Sequence, residues 1–167
     1  MIVHLEPGLP KAYADEFRIR QVLLNLVSNA AKFTREGSVT ISAYVVDDSV
    51  SGQAMMRIDV TDTGIGIAEK DLPLLFEAFR QVDSSLTKTH SGTGLGLPIA
   101  KSLIEMQSGR IVVQSQVNLG STFTIFLPLR PVEAPARSTR ESEAVKVEPA
   151  RKGVTQNLDP NTLPQHV

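Results

Sequence analysis

The chain has 167 residues, of which 41% are hydrophobic and 21% charged, and its formal net charge at pH 7 is −1. These values predict one packed domain and at most a tail, and the near-neutral charge gives no reason to expect nucleic acid as the main partner. The sequence has no cysteine, which excludes disulfides, thiolate nucleophiles and cysteine-based zinc sites. It has neither an apolar run of transmembrane length nor a signal-peptide pattern, so we expect a cytoplasmic segment with no direct membrane insertion.

The first predicted elements are a short strand and a long helix. The strand is "IVHL", and the helix lies within "DEFRIRQVLLNLVSNAAKFTREG". Asp15 is the expected N-cap, apolar residues recur at helical spacing from Ile19 to Ala30, and Gly37 is the expected end. The spacing predicts an amphipathic helix with one face in the core.

The remaining elements mix strands and helices. "SVTISAYVV" and "MMRIDVTD" predict a hairpin, and "RIVVQSQ" and "STFTIFLPL" predict two more strands. A helix is predicted from Leu95 to Gln107, with Pro98 in its first turn and Gly109 at its end. We therefore predict an α+β fold, a two-layer sandwich whose mixed, mostly antiparallel sheet is covered on one face by about three helices.

The composition changes near Pro131. From there onward Pro, Glu, Arg, Ser and Thr dominate, and no aromatic residue appears. Such a segment buries too little apolar surface to offset the entropy lost on ordering. We expect residues 1–130 to form the folded domain and residues 131–167 to be a disordered tail or linker.

Three polar side chains recur on one face of the long helix. Asn25, Asn29 and Lys32 are spaced by four and three residues, which places them beside the apolar stripe. Asparagine is a poor helix-interior residue, because its amide competes with the backbone. The face is either an ordinary solvated one or a site where an amide oxygen binds Mg²⁺ and the lysine meets phosphates.

A second candidate site is the sequence "DVTDTGIGIAE". Asp62 ends a predicted strand, and Gly64 and Gly66 follow it. A carboxylate at a strand end can accept a hydrogen bond from an exocyclic amine, and glycines let a flat ring lie against the backbone. The alternative is an Asp-initiated turn with ordinary glycines.

The third is "HSGTGLGLPIAK", which follows a long polar stretch, Arg80–Ser91, and leads into the second helix. A P-loop would require a lysine and a hydroxyl residue after its glycines, and a dinucleotide motif would require a strand directly before them, so neither pattern fits. The polar stretch is either a lid or a disordered surface loop. Backbone amides at the helix start could meet triphosphate oxygens.

Taken in order, these motifs resemble the catalytic, ATP-binding domain of sensor histidine kinases, within the superfamily that includes gyrase, the large heat-shock chaperone and the mismatch-repair ATPases. "RQVLLNLVSNAAKFT" is similar to the N box, "DTGIG" to the G1 box, "LFEAFRQVDSS" to the F box and "GTGLGLPIAK" to the G2 box. "GSTFTIFLP" is similar to the closing strand. The resemblance implies this fold with an ATP lid, and ATP and Mg²⁺ as cofactors.

The resemblance also implies residue roles. Asn29 would bind Mg²⁺, Asn25 and Lys32 would serve the phosphate side, and Phe33 would pack on the nucleotide. Asp62 would accept the adenine amino group, with Thr122 helping it through water. The glycines of the G1 box would give the base room, and the G2 box would hold the phosphates. The remaining expected nucleotide contacts are Gly64, Gly66, Ile67, Gly92, Thr93, Gly94, Leu95, Gly96 and Leu97.

Two positions depart from the family pattern, and both fall in the lid. Gln81 stands where the family often has an arginine two places after the F-box phenylalanine, and Ser91 replaces a commonly seen glycine. These departures concern lid contacts and leave the expectation of ATP binding unchanged.

One position separates the chemistries of the superfamily. Hydrolytic relatives carry a glutamate base where this chain has Asn25, whose amide cannot take a proton, so phosphoryl transfer is favoured over hydrolysis. His4, His90 and His166 do not lie in a phosphoacceptor motif. The implied partners are a histidine phosphoacceptor and dimerisation domain and a downstream response regulator, in the cytoplasm, including the cytoplasmic part of a membrane-anchored receptor kinase. The alternatives are an ATP-binding interaction module and, less favoured, a hydrolase.

Overall fold

The computed structural model describes residues 1–50, 52–80 and 93–131. The order of elements alternates short groups of strands and helices, as the sequence predicts. The elements are β1 (Ile2–Leu5), α1 (Glu16–Phe33), β2 (Val39–Asp48), β3 (Gln53–Asp62), a 3₁₀ helix (Glu69–Leu74), α2 (Gly96–Glu105), β4 (Arg110–Gln116) and β5 (Gly120–Pro128).

The strands form one five-stranded sheet in the order β1-β2-β3-β5-β4. β1 pairs with β2 in parallel, and the other three pairings are antiparallel, so the predicted mixed, mostly antiparallel sheet is confirmed. The predicted hairpin of β2 and β3 is present, with Val39 opposite Asp62. Asp62 in turn lies opposite Ser121 of β5, so the end of β3 is held between two neighbouring strands.

Helix α1 begins where the sequence predicts and ends earlier. The Asp15 side chain accepts a hydrogen bond from the Arg18 backbone N–H at 3.1 Å, which is an N-cap contact. Thr34 takes up an extended conformation after Phe33, while its N–H still donates to the Ala30 carbonyl. The helix therefore ends four positions before the predicted end, Gly37, and residues 34–38 lead into β2.

The layer of helices consists, in the described residues, of two α-helices and the 3₁₀ helix. Helix α2 begins with Gly96 and carries Pro98 in its first turn, where the missing N–H costs no internal hydrogen bond. Gly109 follows the helix, and its N–H donates to the Ile104 carbonyl at 3.0 Å. The observed span, Gly96–Glu105, lies inside the predicted one.

The hydrophobic core lies between α1, α2 and one face of the sheet. Because side chains alternate along a strand, every second residue of β3 and β5 points into this core. The most deeply buried side chains come from both layers: Val22, Leu26, Val60, Ile104, Ile125 and Leu127. The helices are thereby fixed on the sheet face that also carries Asp62.

Two predicted features lie outside the described residues, namely most of the Arg80–Ser91 stretch, with Gln81 and Ser91, and the tail beyond Pro131. In the described part of the chain, no helix is both long enough and apolar enough to cross a bilayer.

Candidate functional site

Asn25 lies where the middle of α1 meets the first residue of α2. A methyl group on Gly96 would overlap the Asn25 side-chain oxygen, so the amide packs directly on the glycine backbone. A cavity of about 130 Å³ opens beside the pair, and it is lined by Gln21, Val22, Asn25, Gly96, Ile99, Ala100 and Leu103. The sequence predicts both residues as site residues, and the structure brings them together.

The side-chain nitrogen of Asn25 is buried and has no hydrogen-bond partner within the described residues. A buried donor without a partner costs about 1–3 kcal/mol, so such groups are rare in native structures. Phosphate oxygens are acceptors that would satisfy this donor. The half-buried Asn29 lies one turn further along α1, on the same side of the helix.

Lys32 and Phe33 form the end of α1. The Lys32 ammonium nitrogen lies 5.2 Å from the centre of the Phe33 ring, within the range of a cation–π contact. The Phe33 carbonyl accepts a hydrogen bond from the Ile65 N–H at 3.3 Å. The last turn of α1 is therefore joined to the loop that follows β3.

Asp62 is the carboxylate of this loop. It is only 6% exposed, and its Oδ1 accepts a hydrogen bond from the Gly64 N–H at 2.8 Å. Burial raises the pKa of Asp62, while hydrogen bonds from the backbone N–H groups of Gly64 and Ser121 act in the opposite direction. The carboxylate is thus held in a fixed orientation at the end of β3.

The structure gives the two glycines of the loop a reason that the sequence did not supply. A side chain on Gly64 would overlap the Phe33 carbonyl, and one on Gly66 would overlap the Gln116 carbonyl. Gly66 also has a φ of 66°, which favours glycine. Close backbone packing, against α1 on one side and the β4–β5 turn on the other, therefore requires glycine at both positions.

Thr122 does not lie beside Asp62, contrary to the expectation from the resemblance. Thr122 pairs with Thr61, and their hydroxyl oxygens are 3.1 Å apart on the sheet face opposite to Asp62. The hydroxyl residue next to Asp62 is Ser121, which is 6% exposed. The role that the resemblance implies for Thr122 fits the position of Ser121 better, because neighbouring residues along a strand lie on opposite faces of the sheet.

The G2 residues contribute mainly backbone. Gly94 has a φ of 68°, and its carbonyl accepts a hydrogen bond from the Phe79 N–H at 3.2 Å. A side chain at Gly94 would lie 2.9 Å from the Arg80 carbonyl. The chain is therefore brought together on both sides of residues 81–92, which include the predicted contact Gly92 and lie outside the described residues.

The side chains of the remaining predicted contacts differ in their surroundings. Ile67 and Leu97 pack against the hydrophobic core, whereas Thr93 is exposed. Leu95 immediately precedes α2 and makes no side-chain cap hydrogen bond. The side chains of Ile67 and Leu97 are therefore part of the apolar packing of the domain.

A larger apolar cavity lies elsewhere in the domain. Its volume is about 850 Å³, it lies between α1 and strands β2 and β3, and none of the predicted site residues lines it. Size alone therefore does not locate the polar site, whose described contacts form two pairs, Asn25 with Gly96 and Asp62 with Gly64.

Comparison with known proteins supplies an independent finding. Residues 14–131 match the family model described as histidine kinase-, DNA gyrase B- and HSP90-like ATPase. The autoinducer 2 sensor kinase/phosphatase LuxQ of Vibrio cholerae is 44% identical over 122 residues, which cover 73% of this chain and 14% of that protein. The sensor protein GacS of Pseudomonas syringae is 50% identical over 115 residues, which cover 69% of this chain and 13% of that protein.

Solved structures show the same relationship. The chain aligns to full-length ShkA in complex with AMPPNP with a TM-score of 0.64 and 36% identity, over 76% of this chain and 25% of that one. It aligns to the mycobacterial sensor histidine kinase MprB with a TM-score of 0.62 and 27% identity, over 78% of this chain and 84% of that one. The chain spans about one seventh of the two sensor proteins named above.

Proposed function

Because the chain belongs to the family of histidine kinase-, DNA gyrase B- and HSP90-like ATPases, we propose that it binds ATP with Mg²⁺ and donates the γ-phosphate to a histidine on a separate phosphoacceptor and dimerisation domain. The observation that carries this proposal is the arrangement along α1. Asn25 contacts the start of α2 at Gly96, and Phe33 contacts the loop after Asp62 at Gly64. Asn25 and Phe33 are eight positions apart, about 12 Å along the helix, so one element connects the proposed phosphate side to the base side.

On the base side, Asp62 supplies the acceptor. Its fixed carboxylate can accept a hydrogen bond from the exocyclic amine of adenine, which guanine and hypoxanthine lack at that position. A site built to bond a polar group rejects an analogue that lacks it far more strongly than an apolar pocket rejects a size change. Asp62 is therefore proposed to select adenine.

On the phosphate side, the residues present fit a Mg²⁺–triphosphate. The Asn25 side-chain nitrogen, which has no partner among the described residues, can donate to a phosphate oxygen. The amide oxygen of Asn29 is a ligand type that Mg²⁺ accepts alongside phosphates and water. The N-terminus of α2 adds backbone N–H groups and the positive end of a helix dipole. Lys32 is proposed as a further phosphate contact.

Bound ATP supplies the phosphoryl group that is transferred. The protein's part in such a reaction is to position the group and to stabilise its charge, since little covalent chemistry is required of the enzyme. By resemblance, Asn25 corresponds to the position at which hydrolytic relatives carry a water-activating glutamate, and an amide cannot take up a proton. We therefore propose transfer to a protein histidine and not hydrolysis.

The proposal also covers organisation and partners. Residues 1–130 would be the catalytic unit, residues 131–167 a disordered tail or linker, and a response regulator the eventual phosphate recipient. A cytoplasmic location, including that of a segment in a membrane-anchored receptor kinase, follows from the same assignment, because ATP and response regulators are cytoplasmic.

The direct test adds a purified phosphoacceptor and dimerisation domain from a related sensor kinase to this chain with γ-labelled ATP and Mg²⁺. We expect label on the acceptor histidine as an acid-labile, base-stable product, and no transfer to an acceptor whose histidine is replaced by glutamine. Asn29→Ala should abolish transfer, because it removes the proposed Mg²⁺ ligand. ATP binding should be followed in parallel by calorimetry.

The possible results separate the alternatives. Steady hydrolysis by the chain alone, at about one turnover per second as in many enzymes, would contradict the assignment and favour a hydrolase. Normal ATP binding without transfer to any of several folded acceptors would favour an ATP-dependent interaction module. Failure to bind ATP would contradict all three.

A further inference from the structure

Ser115 of β4 joins three parts of the base side, although it belongs to none of the sequence motifs. Its hydroxyl oxygen accepts a hydrogen bond from the Ile67 N–H at 2.8 Å and donates to the Gly120 carbonyl at 2.9 Å. The same oxygen lies 3.0 Å from the Ser121 hydroxyl oxygen. One side chain therefore connects the loop after Asp62 to the beginning of β5.

We propose that Ser115 is a positioning residue for adenine recognition: it acts through the loop 63–67 and Ser121 to hold Asp62 in the geometry that binds the base. The inference rests on the proposed function, since it concerns how the same site selects ATP.

The hydrogen-bonding capacity of Ser115 is fully used by these contacts. A serine hydroxyl has one donor and two acceptor lone pairs. Because the Ser115 hydroxyl donates its proton in a hydrogen bond to the Gly120 carbonyl, its two lone pairs can accept from the Ile67 N–H and from the Ser121 hydroxyl. The Ser121 proton is then directed to Ser115. The Ser121 hydroxyl can therefore accept further hydrogen bonds near Asp62 but cannot donate one.

Neighbouring contacts show that the loop depends on the β4–β5 turn. The Asn118 N–H donates to the Ile65 carbonyl at 2.8 Å, and Gly66 packs against the Gln116 carbonyl. Together with the bond from Ile67 to Ser115, three consecutive loop residues are held by the end of β4 and the turn that follows it. Of these contacts, only the Ser115 bond is made by a side chain, so it is the one that a substitution can remove without altering the backbone.

The beginning of β5 is equally close to Asp62. A side chain on Gly120, whose φ is 108°, would overlap the Asp62 backbone oxygen. The next residue, Ser121, donates its backbone N–H to the Asp62 carboxylate. A shift of Gly120, whose carbonyl is bonded to Ser115, would therefore be transmitted directly to Asp62.

The test compares Ser115→Ala, Ser115→Thr and the control Thr124→Ala in the full chain. Thr124 is also a hydroxyl residue of this sheet, with its oxygen 2.6 Å from Asp59 Oδ1, but it lies on the opposite face. Calorimetry measures the dissociation constants of ATP and inosine triphosphate, which carries a carbonyl in place of the adenine amine. Hydrogen exchange measures the protection of the Ile67 amide without nucleotide.

We expect Ser115→Ala to weaken ATP binding about tenfold, as for the loss of one hydrogen bond, and to weaken inosine triphosphate binding much less. The preference for ATP and the protection of the Ile67 amide should both fall. Ser115→Thr, which keeps the hydroxyl, should restore the preference for ATP. Thr124→Ala should lower thermal stability but leave the preference for ATP unchanged.

Other results overturn the inference in distinguishable ways. If the wild-type chain binds ATP and Ser115→Ala keeps the full preference for ATP over inosine triphosphate, Ser115 has only a structural role and the proposed function stands. Equal losses for both nucleotides would likewise show a structural role. If the wild-type chain binds neither nucleotide, the proposed function fails and the inference fails with it.

Discussion

Asn25 and Gly96 are in direct contact, and a methyl group at position 96 would fit only if the Asn25 amide or the start of α2 shifted. An alanine at position 96 would overlap the Asn25 side-chain oxygen. The contact joins the middle of α1 to the first residue of α2, two elements that are 71 positions apart in the sequence.

Gly96→Ala should weaken ATP binding at least tenfold, even though alanine is favoured over glycine in a helix by about 1 kcal/mol. The added methyl group has to displace either the amide or the start of α2, and both carry proposed phosphate contacts. Calorimetry with ATP and Mg²⁺ measures the loss, and thermal unfolding shows whether the domain remains folded.

A double-mutant cycle checks that the effect acts through this contact. Combining Gly96→Ala with Asn25→Ala should remove the steric cost, so the unfolding free energies of the two single changes should not add. Additive free energies would show that the two side chains do not meet, and the predicted cause of the lost affinity would be wrong.

Gly66→Ala should destabilise the loop after Asp62 more than a left-handed backbone alone explains. Gly8 is the matched control, because its φ of 75° is similar while no described atom lies within 4 Å of a β-carbon placed there. Gly8→Ala should cost about 1–2 kcal/mol of unfolding free energy. Gly66→Ala should cost about 1–3 kcal/mol more, because it also meets the Gln116 carbonyl.

Denaturant unfolding of the two variants gives the comparison. Equal costs at the two positions would show that backbone conformation alone requires glycine at Gly66, and that the β4–β5 turn does not pack against the loop as described.

The helices and strands could be predicted from the sequence, whereas the contacts between distant segments could not. The spacing of apolar residues predicted α1, and Asp15 predicted its beginning, because caps and helical periodicity are local. Ser115, by contrast, is 48 residues from its partner Ile67, and no local pattern specifies such a pair. The motif selected Gly66, but the contact that requires glycine there, the Gln116 carbonyl, lies in a different part of the chain.

The sequence predicts Thr122 beside Asp62, whereas Ser121 lies there, and the cause of this difference is similar. Two hydroxyl residues follow one another at the start of β5, and only the register with β3 decides which one lies on the side of Asp62. A motif carried over by sequence fixes the strand but leaves this one-residue choice open.

Asp62→Asn should reduce ATP affinity about ten- to a hundredfold, which corresponds to the loss of a charged hydrogen bond of about 1.5–3 kcal/mol. The amide offers one acceptor and adds a donor where the adenine amine also donates. Calorimetry at matched thermal stability measures the effect. Near-unchanged affinity would remove Asp62 from the binding site.

The pH dependence of stability should reveal the burial of the same carboxyl. Burial raises the pKa of Asp62 above its value in the unfolded chain, so the folded chain holds this proton more tightly. The wild type should therefore lose stability relative to Asp62→Asn as the pH rises from the ordinary aspartate range through the raised pKa. Urea unfolding of both proteins across that acidic window measures their unfolding free energies. If the free energy of the wild type minus that of Asp62→Asn stays constant or increases as the pH rises, the assignment is wrong.

The last prediction concerns the charge at position 25. Asn25→Asp keeps the size of the side chain that packs on Gly96. It replaces the buried Nδ2 donor, which has no partner in the described part of the chain, with an acceptor. Because a carboxylate repels phosphate, ATP should bind more weakly to Asn25→Asp than to Asn25→Ala, which only deletes the donor. The gap between the two should narrow as salt concentration rises, since screening weakens partly exposed charge pairs. Calorimetry with ATP and Mg²⁺ at two ionic strengths tests this, and binding by Asn25→Asp equal to that of the wild type would show that the Asn25 amide does not face the phosphates.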